Sequence, residues 1–217
     1  CSSKNTMIAQ FSHRLIGNGG LVYVSDYSTQ IKADIKFADD DNFFGMQLEG
    51  YYDNQIITKV DVAEALVRAS DMLESYGARL VVYDAYRPVE AFEQIQDWLN
   101  DLEDNAGKEE YYKDIDKQAL EEEYFSYNAE RLYTRAQVVH VGLVDIYGEP
   151  LDMGGEYMVF DEFTSYSCDN LTPEQIYNRE LLHDIMLQAG FTSIENQWWK
   201  FEYNPYLYDV KFEEIIE

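Results

Sequence analysis

The chain is short of positive charge. Its 16 Lys and Arg stand against 42 Asp and Glu, for a formal net charge of −26. A surface with that field repels phosphate backbones, which excludes nucleic acid as a partner. Cysteine is scarcer: Cys1 and Cys168 are the only two. That count excludes a disulfide framework and a thiolate metal site, leaving at most one Cys1–Cys168 bridge that would tie down a terminus. Histidine occurs only at His13, His140 and His183, too scattered to give a recognisable zinc cluster. No window approaches the ~20 apolar residues that a membrane-spanning helix needs, so any membrane attachment is an anchor. There is no repeat and no low-complexity linker.

What is present is a globular composition. Apolar residues make up 46% of the 217, and aromatics 15%, with 19 Tyr and 11 Phe. That supports one domain with a sizeable core, and the acidity therefore does not imply disorder. Residues 1–20 are polar and end in Gly17-Asn18-Gly19-Gly20, which reads as a tether ahead of a domain at 21–217. The opening Cys1-Ser2-Ser3-Lys4 looks like the start of a processed bacterial lipoprotein. The expectation is an acylated Cys1 and a place in the cell envelope.

Periodicity gives the elements. Leu21–Val24 is β-prone, and Ile31–Phe37 alternates like a half-buried strand. Thr58–Tyr76 predicts a helix opened by Thr58 with Asp61 and stopped by Gly77, with Val62, Leu66, Ala69 and Leu73 on one face. Leu80–Tyr83 reads as a buried strand. A second helix follows from Pro88, with Val89, Phe92, Ile95 and Leu99 inward. Asp101–Tyr124 is the most acidic stretch, a surface excursion with a short helix. Val138–Ile146 is strand-like; Thr172 caps a helix that Gly190 ends; Trp198–Tyr208 is an aromatic strand packed on the core. The class is α+β.

Five segments, in order, resemble the D-Ala-D-Ala dipeptidase family of zinc peptidases. Ile35 to Gly45 with Gly50-Tyr51 resembles its early segment ending in Gly-Tyr, and Tyr83-Asp84-Ala85-Tyr86-Arg87-Pro88 its "YD-YRP". Leu151-Asp152-Met153-Gly154 and Phe160-Asp161-Glu162-Phe163 resemble "LDMG--FD-F" with a few residues inserted. Asn178-Arg179, Gly190-Phe191 and Trp198-Trp199 resemble the closing "NR…GF…EWWH". The resemblance implies a DD-peptidase/Hedgehog-like fold, a central antiparallel sheet flanked by helices. It also implies a zinc held by the His and Asp of "S-x-H-x-x-G-x-A-x-D" and the His of "E-x-x-H", whose Glu is the general base.

Those positions have changed. The first His position falls on Tyr133, the Asp on His140, the base on Gln197 and the last His on Lys200, with Thr134-Arg135 in place of Ser-Arg. Gln is nearly the shape of Glu but accepts no proton at neutral pH, and an ammonium repels a zinc ion. Arg87, which in the family stabilises developing negative charge, remains. The expectation is a pseudo-peptidase without zinc or any other cofactor. Its former cleft, at Arg87, Tyr133, His140, Gln197 and Lys200, would bind a cell-wall peptide or small carboxylate. In that picture Lys200 replaces the metal's charge, and His140 adds a partial one. The alternatives are a divergent metallo-dipeptidase using Tyr133, His140 and Asp145, and an interaction module whose old cleft is filled by side chains. Lys200 paired with Glu202, Arg87 paired with Asp84, and His183 simply exposed on its helix are the plainer readings of single residues.

Overall fold

The computed structural model describes residues 15–16, 20–125, 133 and 135–203. Cys1 and His13, and with them the lipoprotein reading, lie outside the described residues, as do Thr134 and the stretch beyond Tyr203. Among the described residues eight short strands form two sheets. The smaller joins β1 (Leu15–Ile16), β2 (Leu21–Tyr23) and β4 (Ile57–Lys59), antiparallel throughout. Leu15–Ile16 pairs with Leu21–Val22, on either side of the boundary expected at residue 20.

The larger sheet runs β3 (Lys32–Ala33), β5 (Ala78–Asp84), β6 (Val138–Asp145), β8 (Gln197–Tyr203), β7 (Phe191–Ile194). It is antiparallel except at one edge, where β3 lies parallel to β5. The strand expected over Ile31–Phe37 shrinks to that two-residue edge, because a 3-10 turn over Lys36–Ala38 buries Phe37. Strand β6 is buried along nearly its whole length. A strand covered on both faces reads as a continuous apolar run, and Val-Val-His-Val-Gly-Leu-Val is one, interrupted by His140.

Helices α1 (Val60–Glu74) and α5 (Pro173–Gln188) pack on each other and on the sheet. Helix α2 (Val89–Asn100) packs against α4 (Lys117–Tyr124), and the short α3 (Lys108–Tyr111) lies between them in sequence. Helix α5 opens as expected, with a reciprocal capping box between Thr172 and Gln175 and Pro173 in the first turn. Helix α1 does not. Thr58 belongs to β4, its hydroxyl donates to the Ala136 carbonyl, and Lys59 stands at the N-cap without a side-chain bond. Val89, expected inward, is exposed, and Trp98 takes a buried place on α2 instead.

Phe37, Phe43, Phe44, Trp98, Phe125 and Phe160 form a network of tilted and edge-on rings. The early Gly-Tyr segment docks on the Arg-Pro segment here: a Cβ on Gly50, at φ +84°, would lie 2.6 Å from Pro88 Cγ. Only glycine fits that approach, which is why two motifs far apart in sequence meet.

Candidate functional site

A row of polar residues crosses the middle of the sheet. In register, Asp84 on β5 faces His140 on β6, and His140 faces Lys200 on β8. The pairing shifts between Val82 and Asp84. This irregularity at Tyr83 changes which residues stand opposite one another and sets Asp84 beside His140. Gly142 leaves room for Tyr83, since a Cβ there would lie 2.8 Å from the Tyr83 hydroxyl. All three residues of the row are buried, an arrangement that demands partners.

Arg87 finds one. Its Nη2 donates to Asp84 Oδ2 at 2.6 Å in a fully buried pair, and Tyr51 Oη donates to Asp84 Oδ1 at 2.6 Å. Burial pushes Asp84 up, while Arg87, Tyr51 and the Ala85 N–H pull against it. Burial alone would lower Arg87; Asp84 beside it carries it up instead. The plainer reading of Arg87, paired with Asp84, thus holds.

The ring of Tyr133 collects the two cations. Arg87 Cζ lies 4.0 Å and Lys200 Nζ 5.3 Å from its centroid, cation–π distances in both cases. Lys200 forms no ion pair among the described residues, so the pairing with Glu202 is absent. Tyr133 Oη is 2.8 Å from His140 Nε2, and Tyr157 Oη is 2.8 Å from His140 Nδ1. Burial, then Arg87 and Lys200, hold the imidazole well below its ordinary range. His140 is therefore neutral, and the expectation that it adds positive charge is corrected. A neutral imidazole donates through one nitrogen and accepts through the other, so one tyrosine hydroxyl accepts and the other donates.

Tyr157 had no place in the sequence reading. It comes from the residues inserted between Gly154 and Phe160, and the insertion was the available signal. Its ring stacks on Tyr83 at 4.4 Å and meets Trp199 edge-on at 5.5 Å. Burial first, then Asp84, keep its hydroxyl protonated well above the usual phenol range. Gln197, at the base position, is buried, and its amide donates to the Tyr124 carbonyl at 3.4 Å. Asp145 does not approach His140. It sits opposite Ala78, and its carboxylate accepts from the Tyr147 and Glu149 N–H groups in a tight turn. That removes the rearranged site of Tyr133, His140 and Asp145. His183 is partly buried rather than exposed, stacked on Tyr166 at 4.5 Å with Nε2 3.0 Å from Ser193 Oγ.

Tyr83 and Tyr157 also form part of the wall of a cavity of about 660 Å³. None of Arg87, Tyr133, His140, Gln197 or Lys200 lines it.

The class is an α+β peptidase-type domain in which the motif residues converge on one buried row across three strands. The chain belongs to the D-Ala-D-Ala dipeptidase family, whose model matches residues 18–217. It is 27% identical over 184 residues to a D-alanyl-D-alanine dipeptidase of Enterococcus faecium, covering 84% of this chain and 90% of that one. To the enzymes of the same name in Enterococcus faecalis and Streptomyces coelicolor it is 29% identical over 185 residues, covering 84% of this chain and 91% of each. Among solved structures, a mutant of the vancomycin resistance D,D-pentapeptidase VanY, in complex with Zn(II), aligns at a TM-score of 0.43 and 13% identity. That alignment covers 76% of this chain and 83% of that one.

The family is zinc-dependent, and the residues here do not fit the ion. Both nitrogens of His140 are engaged by tyrosine hydroxyls, and its cross-strand neighbour is an ammonium. Among the described residues no three His, Cys, Asp or Glu are grouped to hold a metal.

Proposed function

We propose that this chain is a non-hydrolytic member of the D-Ala-D-Ala dipeptidase family, without catalytic zinc, that binds a small cell-wall peptide or carboxylate. The observation carrying the proposal is His140. It occupies a ligand position but is clamped between Tyr133 and Tyr157, with Lys200 beside it in register. With Gln197 at the base position, the family's general base is replaced by an amide that takes no proton from water at neutral pH. Anion binding draws support from charge: of the two cations gathered on Tyr133, Arg87 is paired with Asp84 while Lys200 forms no ion pair among the described residues, and Arg87 Nε is buried with no acceptor among them. A carboxylate would supply that acceptor and balance the remaining charge.

The test is elemental analysis after incubation with zinc, alongside a D-Ala-D-Ala hydrolysis assay. The expected result is no bound metal and no cleavage; about one zinc per chain, as in a catalytic site, would overturn the proposal. D-Ala-D-Ala or a small carboxylate should raise the thermal midpoint, and Lys200→Glu should abolish that rise.

A further inference from the structure

We infer that Tyr157 is a gate: its ring stands between the 660 Å³ cavity and the buried row, and a ligand entering by the cavity reaches the row only when that ring swings aside. The inference concerns access to the row and rests on the reading of the row as the binding site. Arg87, His140 and Lys200 are 2%, 1% and 7% exposed, and none of them lines the cavity. Tyr157 belongs to both places. Its hydroxyl lies 2.8 Å from His140 Nδ1, its ring centroid 5.7 Å from the imidazole, and the same side chain lines the cavity. One side chain therefore spans the distance from open space to the row.

Tyr83, the ring stacked on it, is no gate. It is carried by β5, an inner strand of the sheet, and nests over Gly142. Tyr157 is held differently. The loop around it is fastened on both sides: Arg179 Nε donates to the Met153 carbonyl at 2.6 Å, and the Phe160 N–H donates to the Tyr111 carbonyl at 2.6 Å. Between those anchors, residues 155–158 make no main-chain hydrogen bond among the described residues except the turn from the Val159 N–H to the Glu156 carbonyl. Met158, the next residue, holds φ +63°. A non-glycine residue pays in stability for that left-handed backbone, and such strain collects in segments that clamp or switch.

The cavity gives the ring somewhere to go, since a rotation about Cα–Cβ needs only the room of a phenol. Swinging out breaks the hydroxyl bond and leaves His140 Nδ1 unpaired in the interior, so the gate rests closed. A carboxylate or carbonyl oxygen of a ligand replaces the hydroxyl as acceptor when Nδ1 carries the proton. Until then the closed ring lowers the apparent affinity of the row by the fraction of time it is open.

Diethyl pyrocarbonate, which acylates neutral imidazoles and free amines, tests the gate on the full chain without any ligand. Peptide mass mapping reads the rate at His140, and at Lys117 as a reporter of general loosening. Lys117 is 4% exposed on helix α4 and bonded to the Trp98 and Asp101 carbonyls. Tyr157→Ala should speed His140 labelling at least about tenfold and leave Lys117 unchanged. Tyr157→Phe keeps the ring and loses the hydroxyl bond, and should speed His140 by less. Tyr111→Ala removes a ring of the cavity wall that meets Phe43, and should leave His140 at the native rate.

Equal His140 rates in the native chain and in Tyr157→Ala would overturn the inference, as would an equal gain from Tyr111→Ala. If Tyr157→Ala loosens the whole fold, Lys117 rises with His140 and Tyr157→Phe decides: an unchanged His140 rate there counts against the gate. The binding reading is judged apart from this. A chain whose His140 is opened by Tyr157→Ala but which D-Ala-D-Ala fails to stabilise keeps the gate and loses that reading. A chain stabilised by D-Ala-D-Ala whose His140 rate ignores residue 157 loses only the gate.

Discussion

His140 is the residue on which the row depends, and its state has a measurable consequence. An imidazole has an ordinary pKa of about 6.5 in an unfolded chain. Folding buries His140 and sets it beside Arg87 and Lys200, holding it well below that value. The unfolded state therefore binds more protons once the pH falls below about 6.5, and the folded state is disfavoured there. The contribution of His140 is complete above that pH and is lost as the pH falls through it, at no more than about 1.4 kcal/mol per pH unit. Urea unfolding of the native chain and of His140→Gln, from pH 7 down to pH 5, isolates it. The stability difference between the two should shrink on acidification, and a difference independent of pH would mean that the imidazole titrates normally. Tyr157→Phe provides a companion measurement. It removes one hydroxyl and leaves one imidazole nitrogen unpaired in the core, at a cost of about 1–3 kcal/mol.

At the scale of elements, helix α5 holds the segment that lines the cavity. Asn178 Nδ2 donates to the Asp152 carbonyl, and Arg179 donates to the carbonyls of Met153, Phe163, Ser165 and Tyr166. One guanidinium thus serves four carbonyls of the loop between β6 and α5, a use of its fixed fork that lysine does not reproduce. Arg179→Lys should lower stability by about 2 kcal/mol or more, read in urea. A change within experimental error would show that water replaces those bonds without cost. The start of α5 was legible because its signals are local: Thr172, Pro173 and Gln175 lie within four residues. The start of α1 was not. Thr58 has the chemistry of a cap, yet its hydroxyl is committed to Ala136, 78 residues away, and no local pattern reports such a partner. The candidate site divides the same way. Alignment of motifs set Tyr133, His140 and Lys200 in one site; sheet register pairs His140 with Lys200, and Tyr133 reaches both from outside the strands. The tyrosine closing on His140 from the inserted segment, and the single Asp84 serving both Arg87 and Tyr51, are contacts across the fold that linear spacing does not encode.

The whole molecule carries a formal charge of −26, and that governs how it responds to salt. Like charges spread over one compact domain repel, and the repulsion is stronger in the folded chain than in the expanded unfolded one. Salt relieves it, because the screening length falls from about 30 Å at 0.01 M to about 10 Å at 0.1 M. The stabilising charge pair of the interior is indifferent to this: Asp84 and Arg87 are buried within 2.6 Å of each other. Few exposed ion pairs exist among the described residues to be weakened in exchange, Lys36 with Asp34 and Asp41 and Lys113 with Glu109 being of that kind. Such pairs contribute about 0–1 kcal/mol each. The net expectation is that sodium chloride raises the thermal midpoint, most steeply below about 0.1 M, where the screening length changes fastest. Scanning calorimetry over a salt series checks it. A midpoint that falls with salt would mean that attractive surface pairs outweigh the repulsion, and the acidic surface would then need a different account.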